Sequence, residues 1–425
     1  MSGSAPTERP GFGAALRLWL MIGLQSFGGP AAQISLLHQE VVERRGWVQE
    51  REFLAALNFC MLLPGPEAQQ LATWIGLRLH GVRGALAAGG LFILPGAVVM
   101  FLLAWLAAAA GDVPVVRAAL DGVVPIVVAL VLAAVWRLGR RTLTTTAGVL
   151  LAAAAFLALT FAHLGFVWIV AAALVLGAAG SRFGVRFGAA HGEAPAAEGP
   201  FRLRAALGWA AACGAVYAVL LLVPWLLLAG APGPYRDVLG FFSQAAWVTF
   251  GGAYAVLPYV ADQAVGTYGW LSETQMVHGL ALAETTPGPL ILVTEYVGFF
   301  AGWNAAAPGA NALLAGALAA VLTVWSTFLP SFLFIIGGAP FIGRLSADPR
   351  AQGALAAVTA AVVGVIATLA VRIAPHAFRP EGELDPIAIL VALAALAAAV
   401  RWRVGPLWLV AAGAAVGLVR LGAGL

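Results

Sequence analysis

Charged side chains are scarce in this 425-residue sequence: Asp, Glu, Lys and Arg together make up 10% of the chain. Soluble domains carry roughly 25% charged residues, so the composition excludes an ordinary soluble protein. Hydrophobic residues make up 62% of the chain, and the mean hydropathy is +0.93. The sequence therefore predicts an all-α polytopic membrane protein whose surface contacts the lipid bilayer.

Lysine is absent, and all 23 basic residues are arginines. No basic stretch with interleaved aromatic residues lies outside the apolar runs, so the net charge of +4 does not indicate nucleic-acid binding. The two cysteines, Cys60 and Cys213, lie in apolar runs, which predicts core residues rather than a disulfide or a metal pair. The histidines also lack metal-ligand spacing, so we expect neither a metal nor another cofactor.

Two short motifs interrupt long apolar runs: Leu63-Pro64-Gly65-Pro66-Glu67 and Thr286-Pro287-Gly288-Pro289-Leu290. Two prolines around a glycine cannot continue a helix, because proline lacks the backbone donor and clashes with the preceding turn. In hydrocarbon, broken backbone of this kind persists only where protein or a polar cavity surrounds it. Interrupted segments in corresponding positions of two halves are typical of a transport site.

The second half of the chain repeats the first half in one register. Phe250-Gly251-Gly252 follows Phe27-Gly28-Gly29 by 223 positions (250 − 27), and Pro287-Gly288-Pro289 follows Pro64-Gly65-Pro66 by the same interval. Further along, the interval rises to 235, which predicts an insertion of about twelve residues (235 − 223) around 303–314. The repeat predicts two homologous halves with broken or re-entrant helices.

Arginine-rich loops orient the two halves. Basic residues flank the predicted two-helix hairpin 143–180 on both sides: Arg137, Arg140 and Arg141 before it, and Arg182, Arg186, Arg202 and Arg204 after it. A hairpin returns both of its ends to one side, and basic loops mark the cytoplasmic side. The span 205–228 then crosses once more, so the second half starts outside and the halves are predicted to have inverted topology.

This orientation predicts a cytoplasmic N-terminus and a division into three parts. The expected parts are a first repeat at 1–181, a cytoplasmic linker at 182–204 and a second, inverted repeat at 205–425. The loop 43–51 carries three arginines, while its counterpart 266–274 carries none. If 11–42 crossed completely, that basic loop would lie outside, against the positive-inside rule. We therefore favour two hairpins per half that dip from one face, with the broken motifs at their tips.

Several segments carry a resemblance to a known family. They are Ser26-Phe27-Gly28-Gly29-Pro30, Glu43-Arg44-Arg45-Gly46-Trp47, the stretch 58–72, Phe250-Gly251-Gly252-Ala253 and the stretch 282–289. With these segments the chain resembles the chromate ion transporter family in its long, two-half form, over roughly 12–180 and 240–374. The resemblance implies a protein of the bacterial inner membrane that expels chromate from the cytoplasm and confers chromate resistance. Coupling to protons is what the family is thought to use, and sulfate is the natural look-alike of chromate. A homodimer is compatible with this reading.

Candidate substrate-binding residues lie at four predicted helix breaks. These are the two Phe-Gly-Gly motifs (FGG) and the two Pro-Gly-Pro motifs (PGP). Short helices that begin there point free N–H groups and positive dipole ends at an anion, and glycine lets the backbone approach an oxyanion closely. The candidates are Phe27, Gly28, Gly29, Pro64, Gly65, Pro66, Gln69, Gln70, Gly251, Gly252, Thr285, Thr286, Pro287, Gly288 and Pro289. The alternative is that glycine and proline only permit close helix packing.

Three carboxylates near the broken motifs are candidates for proton coupling: Glu67, Glu284 and Glu295. Ionisable residues inside a membrane are costly and indicate function by default. Glu67 follows Pro66 at a predicted helix start, where the helix dipole stabilises a carboxylate, so a capping role is the alternative. We interpret Asp121 as a cap or a structural partner.

Other functions stay open at this point. A transporter of sulfate or another tetrahedral oxyanion uses the same geometry, and a passive anion channel is a third option. Inverted repeats with broken helices favour alternating access, as in an antiporter, over a channel. The sequence lacks a nucleotide-binding P-loop, which argues against ATP as the energy source. An enzyme is not expected, because no His, Cys, Ser and Asp cluster indicates a nucleophile with its base or a metal dyad.

Overall fold

The computed structural model describes residues 10–188, 203–342, 344, 348–379 and 382–424, which form helices and loops without a strand. The first half contains α1 (Phe12–Gln25), α2 (Gly29–His38), α3 (Glu50–Leu62), α4 (Glu67–Ala110), α5 (Pro114–Thr142), α6 (Thr146–Thr160) and α7 (Phe166–Gly180). A single helix, α8 (Leu203–Leu227), leads to the second half. That half contains α9 (Tyr235–Trp247), α10 (Ala253–Ala261), α11 (Glu273–Thr285), α12 (Val293–Asn304), α13 (Ala312–Gly338), α14 (Pro349–Phe378), α15 (Pro386–Arg401) and α16 (Pro406–Ala423). Of the predicted linker 182–204, residues 189–202 lie outside the described residues.

Within the described part of the chain, seven helical segments are long and apolar enough to cross a membrane: α4, α5, α7 with its 3₁₀ extension to Phe183, α8, α13 with its 3₁₀ extension to Phe341, α14 and α16. Helix α4 is two limbs joined at a kink, where His80 and Gly81 leave helical geometry and Gly81 takes a φ of +63°. The first limb, 67–80, is short, and the second limb, 81–110, is long enough to span a bilayer at 1.5 Å per residue.

The helix boundaries repeat as the sequence repeats. Helices α9 and α11 begin 223 residues after α1 and α3 (235 against 12, 273 against 50), and α14 begins 235 residues after α5 (349 against 114). The π-helical turns Gln39–Arg44 and Asp262–Thr267 also keep the 223-residue interval. The change of interval falls in the loop 305–311, which replaces the kink of α4. Two homologous halves are therefore present, as predicted.

In the first half, α1 with α2, and α3 with the first limb of α4, form two short hairpins. Their open ends meet at one side of the molecule, here called the first face. His80, at the end of the first limb of α4, contacts the ring of Phe12 at the start of α1 with 5.3 Å between centroids. Arg78 pairs with Glu52 at the start of α3 at 3.1 Å, and His38 at the end of α2 pairs with Glu50 at 2.6 Å. The other ends of these four helices therefore point inward.

The inward tips reach the middle of the long second limb of α4. Helix α1 runs beside this limb from His80, and Gly23 near its end packs against Leu91 and Pro95. Residue 95 lies halfway along the 81–110 limb. The hairpins thus enter from one face and turn back halfway, which is the re-entrant arrangement that the loop arginines favour.

The second half repeats this arrangement from the opposite side, the second face. Asn304 at the end of α12 donates to Trp270 O at the start of α11, at 2.9 Å, and Arg372 of α14 pairs with Glu273 at 3.2 Å. Helix α14 begins where α5 ends, because Gly188 lies against both Thr142 and Ala356. The equivalent helices α5 and α14 therefore run antiparallel, and the halves have inverted topology.

Helices α5 and α14 form the buried centre of the bundle. Residues 123–131 of α5 are buried without interruption, and small residues let neighbouring helices approach closely: Gly122 lies against Gly413 of α16, and Gly364 against Ala152 of α6. Close backbone approach of this kind is how helices associate in lipid, where apolar side chains gain little from leaving their surroundings.

Helix α8 lies at the periphery. Within its apolar window no residue is buried, and two indole N–H groups join it to α13: Trp209 Nε1 donates to Ile336 O at 2.8 Å, and Trp325 Nε1 donates to Leu220 O at 3.0 Å. These two contacts show that α8 and α13 run antiparallel. One crossing helix between the halves is what reverses the second half.

Candidate functional site

Glycines at all four helix breaks have backbone geometry that other residues rarely adopt. The φ angles are 86° at Gly28, 79° at Gly29, 127° at Gly65, 77° at Gly251, 92° at Gly252 and 88° at Gly288. Positive φ is open to glycine and costly for residues with a Cβ. The six glycines of the paired motifs therefore make the sharp turns by which each short helix reverses direction.

Two backbone hydrogen bonds join the breaks of one half to the breaks of the other. Gly65 N–H donates to Thr249 O at 2.7 Å, and Gly288 N–H donates to Ser26 O at 2.8 Å. These bonds are related by the internal repeat, since 65 and 288, like 26 and 249, differ by 223. The PGP turn of each half thus lies against the FGG break of the other half.

The two junctions sit close together across α4 and α13. Gly96 of α4 packs against Pro287 O, and Ser331 of α13, its equivalent at the 235-residue interval, packs against Gly65. Gly89 of α4 lies beside Phe332, the neighbour of Ser331. Residues 89 and 96 are separated by about 10 Å along a helix axis. All four breaks therefore meet near the middle of the molecule.

Short helices begin at each of these breaks without a side-chain cap. Helix α2 starts after Gly28, α4 after Pro66, α10 after Gly252, and a 3₁₀ turn leading into α12 starts after Pro289. None of the four N-termini receives a side-chain hydrogen bond within the described residues. Uncapped N–H groups carry partial positive charge and suit an anion.

Gln33 is a site residue that the sequence reading missed. Its buried amide Nε2 donates to Ser26 O at 3.1 Å and to Gly288 O at 2.6 Å, so one side chain clamps the junction between an FGG break and a PGP turn. Its counterpart in the second half is Val256, so the repeat gives no hint of it. The available signal was a glutamine on a short apolar helix directly after a break.

A Gln33→Leu variant should lose stability. Leucine fills similar space but leaves the two buried carbonyls without this donor, which costs about 1–3 kcal/mol. We expect a lower thermal unfolding temperature in detergent for the Gln33→Leu variant than for the unchanged protein. Gln25→Leu, at an exposed position near the end of α1, serves as the control. Equal stability of the Gln33 and Gln25 variants would contradict the clamp.

The predicted polar side chains lie at the breaks, and protein groups already engage them. Gln70 Nε2 donates to Pro64 O at 2.7 Å, and Gln69 Nε2 donates to Thr73 Oγ1 at 3.0 Å. The Oε1 atoms of both buried glutamines have no partner in the described structure. The hydroxyls of Thr285 and Thr286 both donate to Leu282 O at 2.8 Å, at the end of α11. Their protons therefore satisfy the helix end in this conformation.

The three predicted carboxylates have different surroundings. Glu67 is the first residue of α4 and is half-buried. Glu284, also half-buried, accepts a hydrogen bond from Tyr254 of α10, a second residue that the sequence reading missed. Glu295 is buried on α12, and its Oε2 has no partner in the described residues. In the first half, the positions equivalent to Glu284 and Glu295 are Met61 and Ala72, so the carboxylates break the symmetry.

Two arginines on the first-face end of α5 act on these carboxylates. Arg141 lies near enough to Glu67, and Arg137 near enough to Glu284, for their charges to interact. Asp121, near the other end of α5, pairs with Arg117 at 3.7 Å and lies 3.2 Å from His278 of α11. The His278 contact has ion-pair distance without hydrogen-bond geometry, because His278 Nε2 makes no hydrogen bond in the described structure. Asp121 is thus a structural partner between the halves, as the sequence suggested.

Comparison with known proteins gives this arrangement its context. A sequence profile of the chromate transporter family matches residues 14–178 and 236–418, one block in each half. The chain belongs to the chromate transporter family. The two matched blocks correspond to the two inverted halves of the structure. The apolar composition and the seven helices long enough to cross a membrane are those expected of a transporter family.

Curated relatives support this membership over most of the chain. A protein named chromate transport protein from Pseudomonas aeruginosa is 32% identical over 373 residues, covering 84% of this chain and 79% of the relative. One of the same name from Cupriavidus metallidurans is 25% identical, covering 94% and 91%. A probable chromate transport protein from Synechococcus elongatus is 28% identical, covering 82% and 81%. No solved structure matches this member of the chromate transporter family.

Proposed function

We propose that this protein is a secondary active transporter that exports chromate from the cytoplasm in exchange for protons and so confers chromate resistance. The observation that carries the proposal is the pair of hydrogen bonds from Gly65 to Thr249 and from Gly288 to Ser26, which join the four helix breaks in two pairs, one across each junction between the halves. A central meeting point of interrupted helices from inverted halves suits alternating access. Family membership supports chromate as the substrate.

The anion would bind where the four uncapped N-termini converge. Chromate is a tetrahedral dianion, so removing it from water requires several donors at once. We propose that the N–H groups following Gly28, Pro66, Gly252 and Pro289 supply them. In this proposal the FGG and PGP residues shape the site, while Gln69, Gln70, Thr285 and Thr286 contact the anion after small side-chain rotations.

Protons would be carried by the carboxylates at the edge of this site. Glu67 and Glu284 are half-buried and face the charges of Arg141 and Arg137. A carboxylate that shares a vestibule with the anion repels it when ionised and admits it when protonated. Glu295, buried without a partner for Oε2, would serve as a third proton-binding group. Proton binding and anion binding are linked in this way, and the proposed exchange adds that the carboxylates cross in protonated form when the anion site is empty.

We also propose that the first face is cytoplasmic, in an inner membrane, with the N-terminus on that side. Arg137, Arg140 and Arg141 lie at the first-face end of α5, and Arg401 and Arg403 flank the turn after α15. The positive-inside rule assigns basic loops to the cytoplasm. The repeats 1–181 and 205–425 would then be joined by a cytoplasmic linker at 182–204.

Flux measurements in inside-out membrane vesicles test this function. When the vesicle lumen is more acidic than the medium, labelled chromate should accumulate in the lumen. Collapsing this proton gradient with a protonophore should abolish the accumulation. An excess of sulfate added as competitor distinguishes a chromate transporter from a general oxyanion transporter. Chromate entry that follows only its own concentration gradient would indicate a passive channel and overturn the antiport.

A further inference from the structure

The hairpins of the two halves pack very differently on the central helices. In the second half, α10 packs along α14, where Gly251 lies against Val362, and α11 contacts α5 through His278 and Asp121. In the first half, no comparable packing joins α2 to α5, the equivalent pair. The hairpins of the second half are therefore packed against the central helices α5 and α14, whereas the equivalent contact of α2 with α5 is open in the first half.

Four charged or titratable side chains close the second-face side. Arg372 of α14 donates to Asp262 at 3.1 Å and to Glu273 at 3.2 Å, and His376 lies 3.0 Å from the other oxygen of Glu273. Together with Val277, Ile373 and their neighbours, Glu273, Arg372 and His376 line a small cavity of about 20 Å³ between hairpin and core. The cluster joins both segments of the hairpin, α10 with its π-helical turn and α11, to a central helix.

The first half keeps the same chemistry at the equivalent positions without the contacts. Arg137 is the counterpart of Arg372 and Arg141 that of His376, at the 235-residue interval; Glu50 and Gln39 are the counterparts of Glu273 and Asp262, at 223. Two cations, a carboxylate and an acceptor amide are thus retained. Neither Arg137 nor Arg141 has a hydrogen-bond or ion-pair partner in the described residues, and both are exposed. Glu50 pairs with His38 instead.

Apolar side chains show the same difference. Leu54 of α3 is 46% exposed, whereas its counterpart Val277 of α11 is 3% exposed and lines the cavity. Buried apolar residues of the first-half hairpins, such as Leu37, Phe53 and Ile75, form a cluster with the second limb of α4 and with Ile335 of α13, and this cluster contains no residue of α5 or α14. Val260 and Met276, the counterparts of Leu37 and Phe53, belong to the main cluster with α5 and α14. Among the described residues, the buried apolar side chains of the first-half hairpins are therefore not part of the core that α5 and α14 form.

We propose that the Arg372–Asp262–Glu273–His376 cluster is the closed gate of the second face, and that the counterpart residues Arg137, Gln39, Glu50 and Arg141 close the first face in a second conformation. In that conformation the halves exchange their packing: Arg137 and Arg141 pair with Glu50, Leu54 becomes buried, and the second-face cluster separates. Each face then opens only while the other is closed. This inference rests on the proposed transport function, because it names the residues that would alternate.

Thiol labelling tests the exchange without using chromate. Cys60→Ala and Cys213→Ala provide a background into which Leu54→Cys or Val277→Cys is introduced. Membrane fragments open to both sides are treated with a membrane-impermeant maleimide. We expect rapid labelling at position 54 and slow labelling at position 277. Adding Glu273→Gln should raise the labelling rate at 277 by at least about fivefold and lower the rate at 54.

Equivalent substitutions in the two halves should have different effects at position 277, which a general structural defect would not produce. Glu50→Gln weakens only the first-face gate, so position 54 should stay reactive and position 277 protected. Arg372→Gln and Arg137→Gln repeat the comparison from the cationic side. Failure of both Glu273→Gln and Arg372→Gln to expose 277, or equal exposure of 277 by Glu50→Gln, would overturn the gate. Exposure of position 277 by Glu273→Gln but not by Glu50→Gln, in a protein without chromate flux, would support the gate and reject only the proposed function.

Discussion

A Gly96→Ala variant will lose chromate transport, and a Gly90→Ala variant, six residues earlier on the same helix, will keep it. A Cβ at position 96 would lie 2.1 Å from Pro287 O, a backbone atom of the second PGP turn, and 2.6 Å from a methyl group of Leu292. A Cβ at position 90 meets nothing within 4 Å. Alanine at 96 must therefore displace the turn that Gly288 holds against Ser26.

The expected loss follows from the cost of overpacking. Forcing a methyl group into a closely packed contact costs about 1–3 kcal/mol, and each 1.4 kcal/mol corresponds to roughly a tenfold change in binding. Chromate uptake by vesicles at low substrate concentration should fall about tenfold or more for Gly96→Ala. Both variants should be present in the membrane at equal amounts. Wild-type uptake by Gly96→Ala would show that the junction does not form the substrate path.

Neutralising Glu67 and Glu284 together will remove proton-driven accumulation and spare chromate exchange. Glutamine keeps the shape of the side chain but cannot bind and release a proton at these positions. Inside-out vesicles that carry Glu67→Gln and Glu284→Gln should no longer accumulate chromate when a proton gradient is imposed. Exchange of labelled for unlabelled chromate at equal pH on both sides should continue, because the four helix breaks remain intact.

The control for this pair is Glu383→Gln, which changes an exposed glutamate in the loop before α15 and should leave both activities at the wild-type level. Tyr254→Phe removes the hydrogen bond that Glu284 accepts and should reduce proton-driven uptake less than the double substitution. Proton-dependent accumulation that persists in the double variant would exclude both carboxylates from coupling. Glu295 would then be the remaining candidate.

Much of the site's architecture was predictable because the same motifs occur in both halves of the sequence. The shared register of Phe27-Gly28-Gly29 with Phe250-Gly251-Gly252, and of the two PGP motifs, predicts symmetric breaks, and the arginines near Arg44 predict hairpins that turn back. Both features follow from local constraints: glycine at positive φ, proline inside apolar runs, and basic loops on one side.

What the sequence did not predict lies where the halves differ. Gln33 and Tyr254 act at the junctions, but their counterparts are Val256 and Ala31, so no repeated pattern marks them. Which face is open could not be predicted either, because a repeated sequence is equally compatible with both arrangements. Contacts such as that of Arg372 with Glu273 depend on tertiary packing, which selects one arrangement over the other.

The single connecting helix α8 has a consequence for how such a fold is assembled. It contributes no break and no buried residue in its apolar window, yet its one passage through the bilayer is what turns the second copy upside down. A polypeptide with only one of the two copies could bring four helix breaks together only if individual molecules were inserted in both directions and then paired. The fused chain avoids that dual insertion, since every molecule carries both orientations in a fixed one-to-one ratio.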